Sequence, residues 1–387
     1  MTIGLILAKT PAYSETFFIS KIKGLQEHGH QIILFVQHKE PDFNLCEVRI
    51  APKVSRKNKL SQLAKIVYVI IKIIPYFKRV LIFKRLEKQT NRSHTQILKN
   101  IFNNVHLLTA NLDWIHFGFA TMALQSENVA IAIDAKMAVS FRGYDIDVYP
   151  LKHTNCYHLL WKRVDKIHSI SHYLIQQASR IGLPEQIGFQ IITPAIDSKF
   201  FNFDLQKSTR QIQMITIARL HWIKDIETTL EALSLLKLKG LDFTYKIIGS
   251  GPAYEQIAFS IYQLNLSDRV ELLGNKNQLA IIDLLHASTI YLQYSQSEGF
   301  CNAVLEAQAA GCICIVSDGG ALPENILNQE TGFVVPKRNP TLLAKKVMEV
   351  VDLPESERNR IIKNAQMRVL ADHNLKDQKS KFIAFYQ

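Results

Sequence analysis

The chain has 387 residues, of which 47% are hydrophobic and 21% charged, a composition typical of a globular protein long enough for two domains. Five scattered cysteines without a CxxC pair argue against a disulfide framework and fit a reducing compartment. No apolar run reaches the roughly 18 residues of a membrane-spanning helix, and the N-terminus lacks the features of a signal peptide. We therefore expect a cytoplasmic protein.

The first fifty residues predict a strand, a helix and a second strand. The strands are "TIGLILA" and "QIILFV", and the helix between them is "SETFFISKIKGLQEHG", with Ser14 as its N-cap and Gly29 at its end. Strand–helix–strand units of this kind build parallel sheets.

The charge of +12 lies in one segment, because residues 53–100 contain thirteen Lys or Arg and one acid, Glu87 (13 − 1 = 12). In "LAKIVYVIIKIIPYFKRVLIFKRL" cations alternate with large apolar side chains, and Pro75 should kink or divide the helix. The pattern fits an ordinary solvated basic face, but it favours docking on anionic lipid over nucleic acid, for which no binding fingerprint is present. The residues expected to contact lipid are Lys65, Lys72, Lys78, Arg79, Lys84 and Arg85.

Short strands continue through "NLDWIHFGFA", "KMAVSFRGYD" and "VDKIHSIS" to the connector "FQIITPAID". A second alternating series runs through "RQIQMITIARL", "FTYKIIGSG", "RVELLGN", "STIYLQYS", "CICIVSD" and "TGFVVP". Two such series predict two doubly wound α/β domains divided near residues 193–204. Cys312 and Cys314 should be buried thiols rather than metal ligands.

Ligands of open parallel sheets bind at the carboxyl ends of strands, where several motifs of the second half fall. Arg219 and Lys224 follow a strand and precede a helix, so they are either an anion site or ordinary solvated cations. Gly249 and Gly251 in "IIGSGP" lack the third glycine of a dinucleotide cradle and more readily permit close backbone approach. The turn at residues 274–276 indicates only a loop.

Glu298 and Glu306 bracket the start of a helix near Asn302 in "SEGFCNAVLEAQAAG". A helix N-terminus attracts phosphate, whereas an ionised carboxylate only accepts hydrogen bonds and so suits sugar and ribose hydroxyls. An anion flanked by two polyols describes a nucleotide sugar.

These motifs, in the order "IARLHWIKD", "IIGSGP", "LLGNKNQ", "SEGFCNAVLEAQAAGCICIVSDGGALPENI" and "TGFVVP", resemble the donor-binding half of retaining glycosyltransferases of the family-four type (glycosyl transferases group 1). The spacing from Glu298 to Glu306 matches the E-x7-E signature of that family. The first half is similar through "PAYSETFFISKIKGLQEHGHQIILF", "IHFG", "SFRGYDI" and "SISHYLIQQASRIGLP", most closely to the polysaccharide-assembly, colanic-acid-like branch.

The resemblance implies a GT-B fold, with two facing Rossmann-like domains at residues 1–195 and 196–370 and a C-terminal helix at 371–387 that packs back on the first domain. It assigns the diphosphate to Arg219 and Lys224, the transferred sugar to Glu298, and the ribose to Glu306. The donor-binding residues that it implies are Arg219, Lys224, Gly249, Gly251, Gly274, Asn275, Lys276, Glu298, Gly299, Phe300, Cys301, Asn302 and Glu306. It implies no metal and no cofactor other than the nucleotide-sugar co-substrate.

On the acceptor side, Arg142-Gly143 stands where many relatives have His-Gly, so Arg142 is expected to serve the diphosphate or an anionic acceptor. His116 is either an acceptor-side base or a structural histidine. The acceptor-side candidates are Tyr13, Ser14, Glu15, His116 and Asp145. The "DID" at residues 145–147 mimics a metal motif of another fold, but two carboxylates make a poor Mg²⁺ site.

The sequence thus predicts a retaining, metal-independent hexosyltransferase that uses a UDP-sugar, with a GDP-sugar as the alternative. Its expected acceptor is a lipid-linked or cell-surface polysaccharide or glycolipid at the inner face of the cytoplasmic membrane, with no nucleic-acid partner. Two alternatives are another GT-B enzyme, such as a nucleotide-sugar epimerase, and a non-catalytic membrane or nucleic-acid binder with the same fold.

Overall fold

A computed structural model describes residues 1–11, 16–52, 59–201 and 212–387. The acceptor-side candidates Tyr13, Ser14 and Glu15 lie outside the described residues, as does the beginning of the basic segment at 53–58.

The described chain alternates strands with helices. The strands are β1 (Thr2–Ile6), β2 (Gln31–Val36), β3 (Glu47–Ile50), β4 (Trp114–Phe117), β5 (Lys136–Phe141), β6 (Lys166–Ser169), β7 (Gly188–Ile191), β8 (Ile212–Ile217), β9 (Phe243–Ile248), β10 (Val270–Gly274), β11 (Ile290–Gln293), β12 (Ile313–Ser317) and β13 (Phe333–Val335). The helices are α1 (Thr16–Glu27), α2 (Lys59–Ile73), α3 (Phe77–Gln89), α4 (His94–Leu108), α5 (Val129–Ile133), α6 (Tyr144–Asp147), α7 (Tyr149–Lys152), α8 (His158–Trp161), α9 (His172–Arg180), α10 (Ile226–Leu238), α11 (Tyr254–Gln263), α12 (Gln278–Ala287), α13 (Asn302–Ala309), α14 (Leu322–Asn325), α15 (Pro340–Val351), α16 (Glu355–Asp372) and α17 (Leu375–Phe385). Turns of 3₁₀ helix lie at Ile74–Tyr76, Ala120–Ala123, Ser198–Phe200 and Trp222–Lys224.

The chain divides into two units by its internal contacts. Unit 1 comprises Met1–Ile192 and Lys379–Gln387, and unit 2 comprises Thr193–Gln378. The division thus falls slightly before the predicted boundary at residue 195, and the part of the C-terminal helix that belongs to unit 1 begins at Lys379 rather than at 371.

Each unit contains one parallel sheet. Within the described residues, the order in unit 1 is β3-β2-β1-β4-β5-β6-β7 and the order in unit 2 is β10-β9-β8-β11-β12-β13. In both sheets the strand order reverses beside the first strand, between β1 and β4 and between β8 and β11, which is the doubly wound topology. The predicted α/β class with two such domains is confirmed.

The core of unit 1 shows why the amphipathic pattern folds this way. The inward side chains Ile3, Leu5 and Leu7 of the first strand region pack in one cluster with the apolar face of α1. The C-terminal residues Phe382, Phe385 and Tyr386 belong to the same cluster. The C-terminal segment therefore completes the core of unit 1.

The basic segment forms two helices, α2 and α3. As predicted, Pro75 divides them, because it lies in the 3₁₀ turn Ile74–Tyr76 between the end of one helix and the start of the next. The only acid of the segment, Glu87, is fully buried in α3 and is held by Arg92 at 2.6 Å and by Asn100 at 2.6 Å. In the part of the chain that the structure describes, no helix has the length and apolar character to cross a bilayer.

Candidate functional site

The loops that follow β8 and β11 meet at the point where the strand order of unit 2 reverses. The two strands pair in parallel through Ile290 with Met214 and Tyr291 with Ile215, so their carboxyl ends lie side by side. The loops themselves are joined, because the backbone N–H of Gln296 donates to the carbonyl of Ile223 at 2.8 Å. Such reversal points are where open α/β sheets bind ligands.

The structure brings Lys224 and Glu298 into direct contact. Nζ of Lys224 lies 2.5 Å from Oε1 of Glu298, and the two side chains are 17% and 10% exposed. Burial lowers the pKa of Lys224, but the neighbouring Glu298 carboxylate outweighs that effect and the net pKa is raised. Lys224 is therefore a fixed ammonium ion at neutral pH.

Glu298 is held by polar side chains that the sequence analysis missed. Its Oε1 also accepts from Ser295 at 2.8 Å and from Gln293 at 3.1 Å. Gln293 in turn accepts at its Oε1 from the hydroxyl of Tyr291 at 2.7 Å. No residue within the described ranges donates to the other oxygen, Oε2, which leaves that atom available to a ligand.

The sequence "YLQYS" contains the pattern that could have predicted these hydrogen-bond partners of Glu298. Residues two apart in a strand point to the same face, so Tyr291, Gln293 and Ser295 share a face that continues to Glu298. The alternation covers only three residues, which is too short to distinguish a polar row from an ordinary strand end.

The loop from β12 approaches the Glu298 loop closely. A Cβ on Gly320, whose φ is +65°, would lie 2.4 Å from the carbonyl oxygen of Glu298. The N–H of Ala321 donates to that same oxygen at 2.8 Å. Glycine at 320 is thus required both by its backbone conformation and by the space.

The backbone of Cys301, one of the implied donor-binding residues, already makes hydrogen bonds within the protein. Its N–H donates to Oδ1 of Asn325 at 3.1 Å, and Nδ2 of Asn325 donates back to the Cys301 carbonyl at 3.1 Å. Burial and then Glu298 raise the pKa of the Cys301 thiol to about 12, so the thiol is not a nucleophile at neutral pH. Of the other implied donor-binding residues in this segment, Gly299 and Phe300 are buried and Asn302 is exposed as the first residue of α13.

Glu306 lies in α13 with no hydrogen bond or ion pair from the residues that the structure describes. Burial alone raises the pKa of its carboxyl group to about 7. A carboxyl group that is largely desolvated and lacks a protein partner stays available for hydroxyl donors from a ligand.

Arg219 is exposed in the loop after β8, five residues before Lys224, and makes no ion pair with the described residues. Burial and then the charges of Arg219 and Lys224 lower the pKa of His221. Both predicted cations are therefore close enough to His221 to affect its pKa.

Gly249 and Gly251 bring the loop after β9 against the segment that carries Arg219. Their added Cβ atoms would lie 2.0 Å from the carbonyl oxygen of Ala218 and 2.2 Å from that of Leu220. The close backbone approach predicted for "IIGSGP" is what the structure shows. Gly274, Asn275 and Lys276 form the turn after β10, where Asn275 and Lys276 are exposed.

Asp225 follows Lys224, and its φ of +48° lies in the left-handed region. It occupies the N-cap position of α10, but its side chain accepts from the Thr228 hydroxyl at 2.8 Å instead of from a backbone N–H. The side-chain contact offsets part of the strain of this conformation.

In unit 1 the structure places His116 in the interior. It is 1% exposed, with Nδ1 at 2.6 Å from the Tyr386 hydroxyl and Nε2 at 2.8 Å from Ser140 Oγ. Burial, followed by Lys21, His168 and Arg142, lowers its pKa well below the usual value. This geometry corresponds to the structural alternative of the two proposed for His116.

Asp145 and Arg142 also have interior positions. Oδ2 of Asp145 accepts from the N–H of Ala120 at 3.0 Å, and Oδ1 accepts from the N–H groups of Arg142 and Gly143, each at 3.0 Å. The Arg142 guanidinium lies 3.9 Å from the ring centre of Phe17. The Asp145 carboxylate thus organises the loop after β5, and the Arg142 guanidinium packs on α1. Within the described ranges, no group of three or more His, Cys, Asp or Glu side chains is arranged to hold a metal ion.

Comparison with known sequences places these features in context. The family model described as glycosyl transferases group 1 matches residues 197–368. The chain is 24% identical to a protein of Salmonella typhimurium named as a colanic acid biosynthesis glycosyltransferase, WcaL, over 97% of this chain and 96% of the relative. It is 27% identical to the amylovoran biosynthesis glycosyltransferase AmsK of Erwinia amylovora, over 61% and 60% of the two chains.

Among solved structures, the chain is similar to HepE of Anabaena in complex with UDP and glucose. The TM-score is 0.72 at 14% identity, with 99% of this chain and 98% of the other covered. At this identity the likeness concerns the fold, and the predicted GT-B fold of two Rossmann-like domains is confirmed.

Proposed function

We propose that this chain transfers a hexose from a UDP-sugar to a lipid-linked or cell-surface saccharide at a membrane, because residues 197–368 match the family model described as glycosyl transferases group 1. The observation that carries the proposal is the Lys224–Glu298 pair at the reversal point of the unit 2 sheet. A GDP-sugar is the alternative donor.

In the proposed complex Lys224 and Arg219 bind the diphosphate. Lys224 is held as a cation by Glu298, and Arg219 is exposed beside it, so both can neutralise the charge that the leaving group gains. A second role follows for Glu298, whose free Oε2 would accept from a hydroxyl of the transferred sugar. Glu306 would accept from the ribose hydroxyls.

The proposed reaction exchanges one bond at the anomeric carbon for another. The bond from that carbon to the diphosphate oxygen breaks, and its electron pair leaves with the nucleoside diphosphate. An acceptor hydroxyl oxygen bonds to the same carbon, and its proton passes to the departing diphosphate. We propose that configuration is retained and that no metal is needed, since two cationic side chains are available for the diphosphate.

Two comparisons support the choice of donor and pathway. A protein with the same fold was solved with UDP and glucose. Two relatives in sequence are named for colanic acid and amylovoran biosynthesis. We accordingly propose a role in polysaccharide assembly.

The exposed faces of α2 and α3 support a membrane location. Leu63, Ile66, Ile70 and Ile74 follow the helical spacing of one apolar stripe, and all four are exposed, Ile74 to 63%. In a water-soluble helix such a stripe is normally buried. The further exposed apolar side chains on these helices are Val67, Tyr68, Ile71, Phe77, Leu81 and Ile82.

Basic side chains accompany this apolar surface. Lys78, Lys84 and Arg85 are exposed, and none forms an ion pair with the residues that the structure describes. Arg79 differs, because its guanidinium donates to the carbonyl of Ala110 at 2.7 Å and so serves the fold of unit 1. Apolar side chains flanked by free cations suit a surface of anionic lipid. We therefore propose peripheral attachment to the inner face of the cytoplasmic membrane.

A thermal-shift panel of UDP-, GDP- and ADP-hexoses on the full chain tests the proposed donor. A ligand that binds only the folded state at 100 times its Kd stabilises it by about 2.7 kcal/mol. We expect UDP-hexoses to raise Tm by a few degrees and the ADP-hexoses to leave it unchanged. If no nucleotide sugar raised Tm, the proposed function would be wrong.

A further inference from the structure

Gln296 lies where several loops of unit 2 meet. It follows β11 and precedes Glu298 by two residues. Its backbone N–H donates to the carbonyl of Ile223 at 2.8 Å, and its backbone carbonyl accepts from Nζ of Lys337 at 3.3 Å. The backbone of this one residue is therefore bonded both to the loop after β8 and to the loop after β13.

The side chain of Gln296 joins the same two loops. Its Nε2 donates to Oδ2 of Asp225, and its Oε1 accepts from Nε of Arg338 at 2.6 Å. The two ends of an amide differ, since the nitrogen only donates and the oxygen only accepts, so the carboxylate and the guanidinium together fix its orientation. Both bonds involve a charged partner, and bonds of this kind are stronger than those between neutral groups.

Both side-chain partners of Gln296 have a left-handed backbone. The φ of Asp225 is +48° and that of Arg338 is +59°. This region is costly for residues with a Cβ, and among them it is visited mainly by Asn and Asp rather than by arginine. Such conformations persist only where the surrounding structure enforces them, and they cluster at functional sites. The hydrogen bonds from Gln296 provide that enforcement at both positions.

The bonds made by Gln296 connect the same two loops as the Lys224–Glu298 pair. Asp225 follows Lys224 directly, so the conformation of one sets the direction of the other. The second carboxylate oxygen of Asp225 accepts from the Thr228 hydroxyl at 2.8 Å, which ties it to the first turn of α10. A carboxylate held at both oxygens leaves the backbone beside Lys224 little freedom.

We propose that Gln296 is a positioning residue, which holds Asp225 and Arg338 in the left-handed conformation. It thereby fixes the backbone next to Lys224, the proposed ligand of the diphosphate. Each polar atom of the Gln296 side chain already bonds to the protein, so its effect on the ligand passes through the loops. The identity of that ligand rests on the proposed function, whereas the fixing of the loop does not.

The first test is the affinity of the full-length protein for UDP, measured by isothermal titration calorimetry. Gln296→Ala removes both side-chain bonds, and Gln296→Glu keeps the size of the side chain but sets a like charge against Asp225. Gln256→Ala is the matched control, because the Gln256 amide donates to Oε2 of Glu227 at 2.9 Å at the surface of the same unit.

We expect the Kd for UDP to rise at least about tenfold in both Gln296 variants, since a misplaced binding group loses much of its effect. In Gln256→Ala the Kd should stay at the wild-type value. Wild-type affinity in either Gln296 variant would overturn the proposal.

A glycine background distinguishes positioning from direct contact with the ligand. Asp225→Gly/Arg338→Gly removes both partners of Gln296 and supplies a residue that adopts the left-handed conformation readily. Adding Gln296→Ala to this background should change the Kd for UDP by less than about twofold, because the energetic coupling between the three residues is gone. An equal loss of affinity in both backgrounds would show that Gln296 acts on the ligand itself or on the whole fold, and would overturn the proposal.

Hydrogen exchange without nucleotide, measured by mass spectrometry, separates this inference from the proposed function. The N–H of Lys224 donates to the carbonyl of His221 at 2.8 Å, so peptides covering residues 219–226 report on the loop. They should exchange at least about tenfold faster in Gln296→Ala than in the wild type or Gln256→Ala. Unchanged exchange would overturn the proposal. Faster exchange in a protein whose wild type binds no UDP would reject the donor assignment and leave the positioning of the loop standing.

Discussion

The Lys224–Glu298 pair affects both the stability of the folded protein and, in the proposed function, ligand binding. Their contact of 2.5 Å is only partly screened by water, at 17% and 10% exposure. Removing one partner leaves a mostly buried charge unpaired, which costs more than the pair contributes when it is intact. Stability and ligand binding can therefore be separated by substitution.

We predict that Lys224→Ala lowers the free energy of unfolding by about 2 kcal/mol, since Glu298 loses its counter-ion. The second substitution in Lys224→Ala/Glu298→Gln should restore most of this loss, because the buried charge is gone. Nucleotide-sugar binding should be lost in both variants. Urea denaturation and UDP titration measure the two effects.

Lys237→Ala is the matched control, because Lys237 pairs with Asp268 at the surface of the same unit at 2.6 Å. Surface pairs contribute about 0–1 kcal/mol, so this variant should unfold and bind nucleotide almost as the wild type does. An unfolding free energy of the double variant equal to that of Lys224→Ala would show that the unpaired glutamate is not the cause.

Glu306 gives a pH-dependent prediction. Its carboxyl pKa is about 7 in the folded protein and 4.5 as the reference value, so the folded state binds more protons in that interval. Stability from this group is therefore highest at low pH and is lost as pH rises towards 7. Relative to wild type, we predict that Glu306→Gln gains about 2 kcal/mol in unfolding free energy between pH 5.5 and pH 8.

Denaturation curves of both proteins at the two pH values measure this difference, and the other titrating groups cancel in the comparison. Parallel pH profiles for wild type and Glu306→Gln would contradict the assigned burial of the carboxyl group.

Sequence predicted which residues belong to the candidate site, but it did not predict which of them are in contact. Lys224 and Glu298 were found separately by motif, but their contact spans 74 positions and depends on the pairing of β8 with β11. Sequence spacing does not encode such a contact. For His116 the sequence allows two alternatives, since a histidine at a strand end has the same sequence pattern whether it faces solvent or the Tyr386 hydroxyl.

At the scale of elements, α2 and α3 carry the proposed attachment to lipid. Each basic residue near an anionic surface contributes about 1 kcal/mol, so loss of three cations, with added repulsion from the new carboxylates, should weaken binding by at least about 100-fold. We predict this loss for Lys78→Glu/Lys84→Glu/Arg85→Glu in co-sedimentation with vesicles that contain phosphatidylglycerol. UDP binding should not change.

An apolar variant tests the other half of this surface. Ile70→Ser/Ile71→Ser/Ile74→Ser should also reduce vesicle binding. Phe259→Ser/Tyr262→Ser is the control, because these side chains are equally exposed on α11 of unit 2. If both sets of variants bound vesicles as the wild type does, the proposed membrane surface would be wrong.

The division of these helices at Pro75 could be predicted, because proline lacks the N–H that a helix interior needs. The face of α2 that is exposed could not be predicted from the sequence. Periodicity locates an apolar stripe but does not say whether the protein or a lipid surface covers it, and in this chain the stripe from Leu63 to Ile74 faces outward.

At the scale of the whole molecule, two doubly wound sheets each present a reversal point. The alternation of strands and helices was enough to predict both sheets, since few folds other than parallel α/β sheets show this alternation. The return of the C-terminal segment to unit 1 could be predicted only from the family resemblance. The residues from Lys379 onward carry no sequence pattern that shows which unit they pack in. Their packing in unit 1 depends on the shape of its core.

The measurement that tests the central claim most directly is transfer of radiolabelled hexose from UDP-hexose to the membrane fraction of the source cell. We predict incorporation of label into glycolipid by the wild type and by Lys237→Ala, and at least a 100-fold lower rate for Lys224→Ala. Transfer by Lys224→Ala at the wild-type rate, or no transfer from any nucleotide sugar by the wild type, would contradict the account.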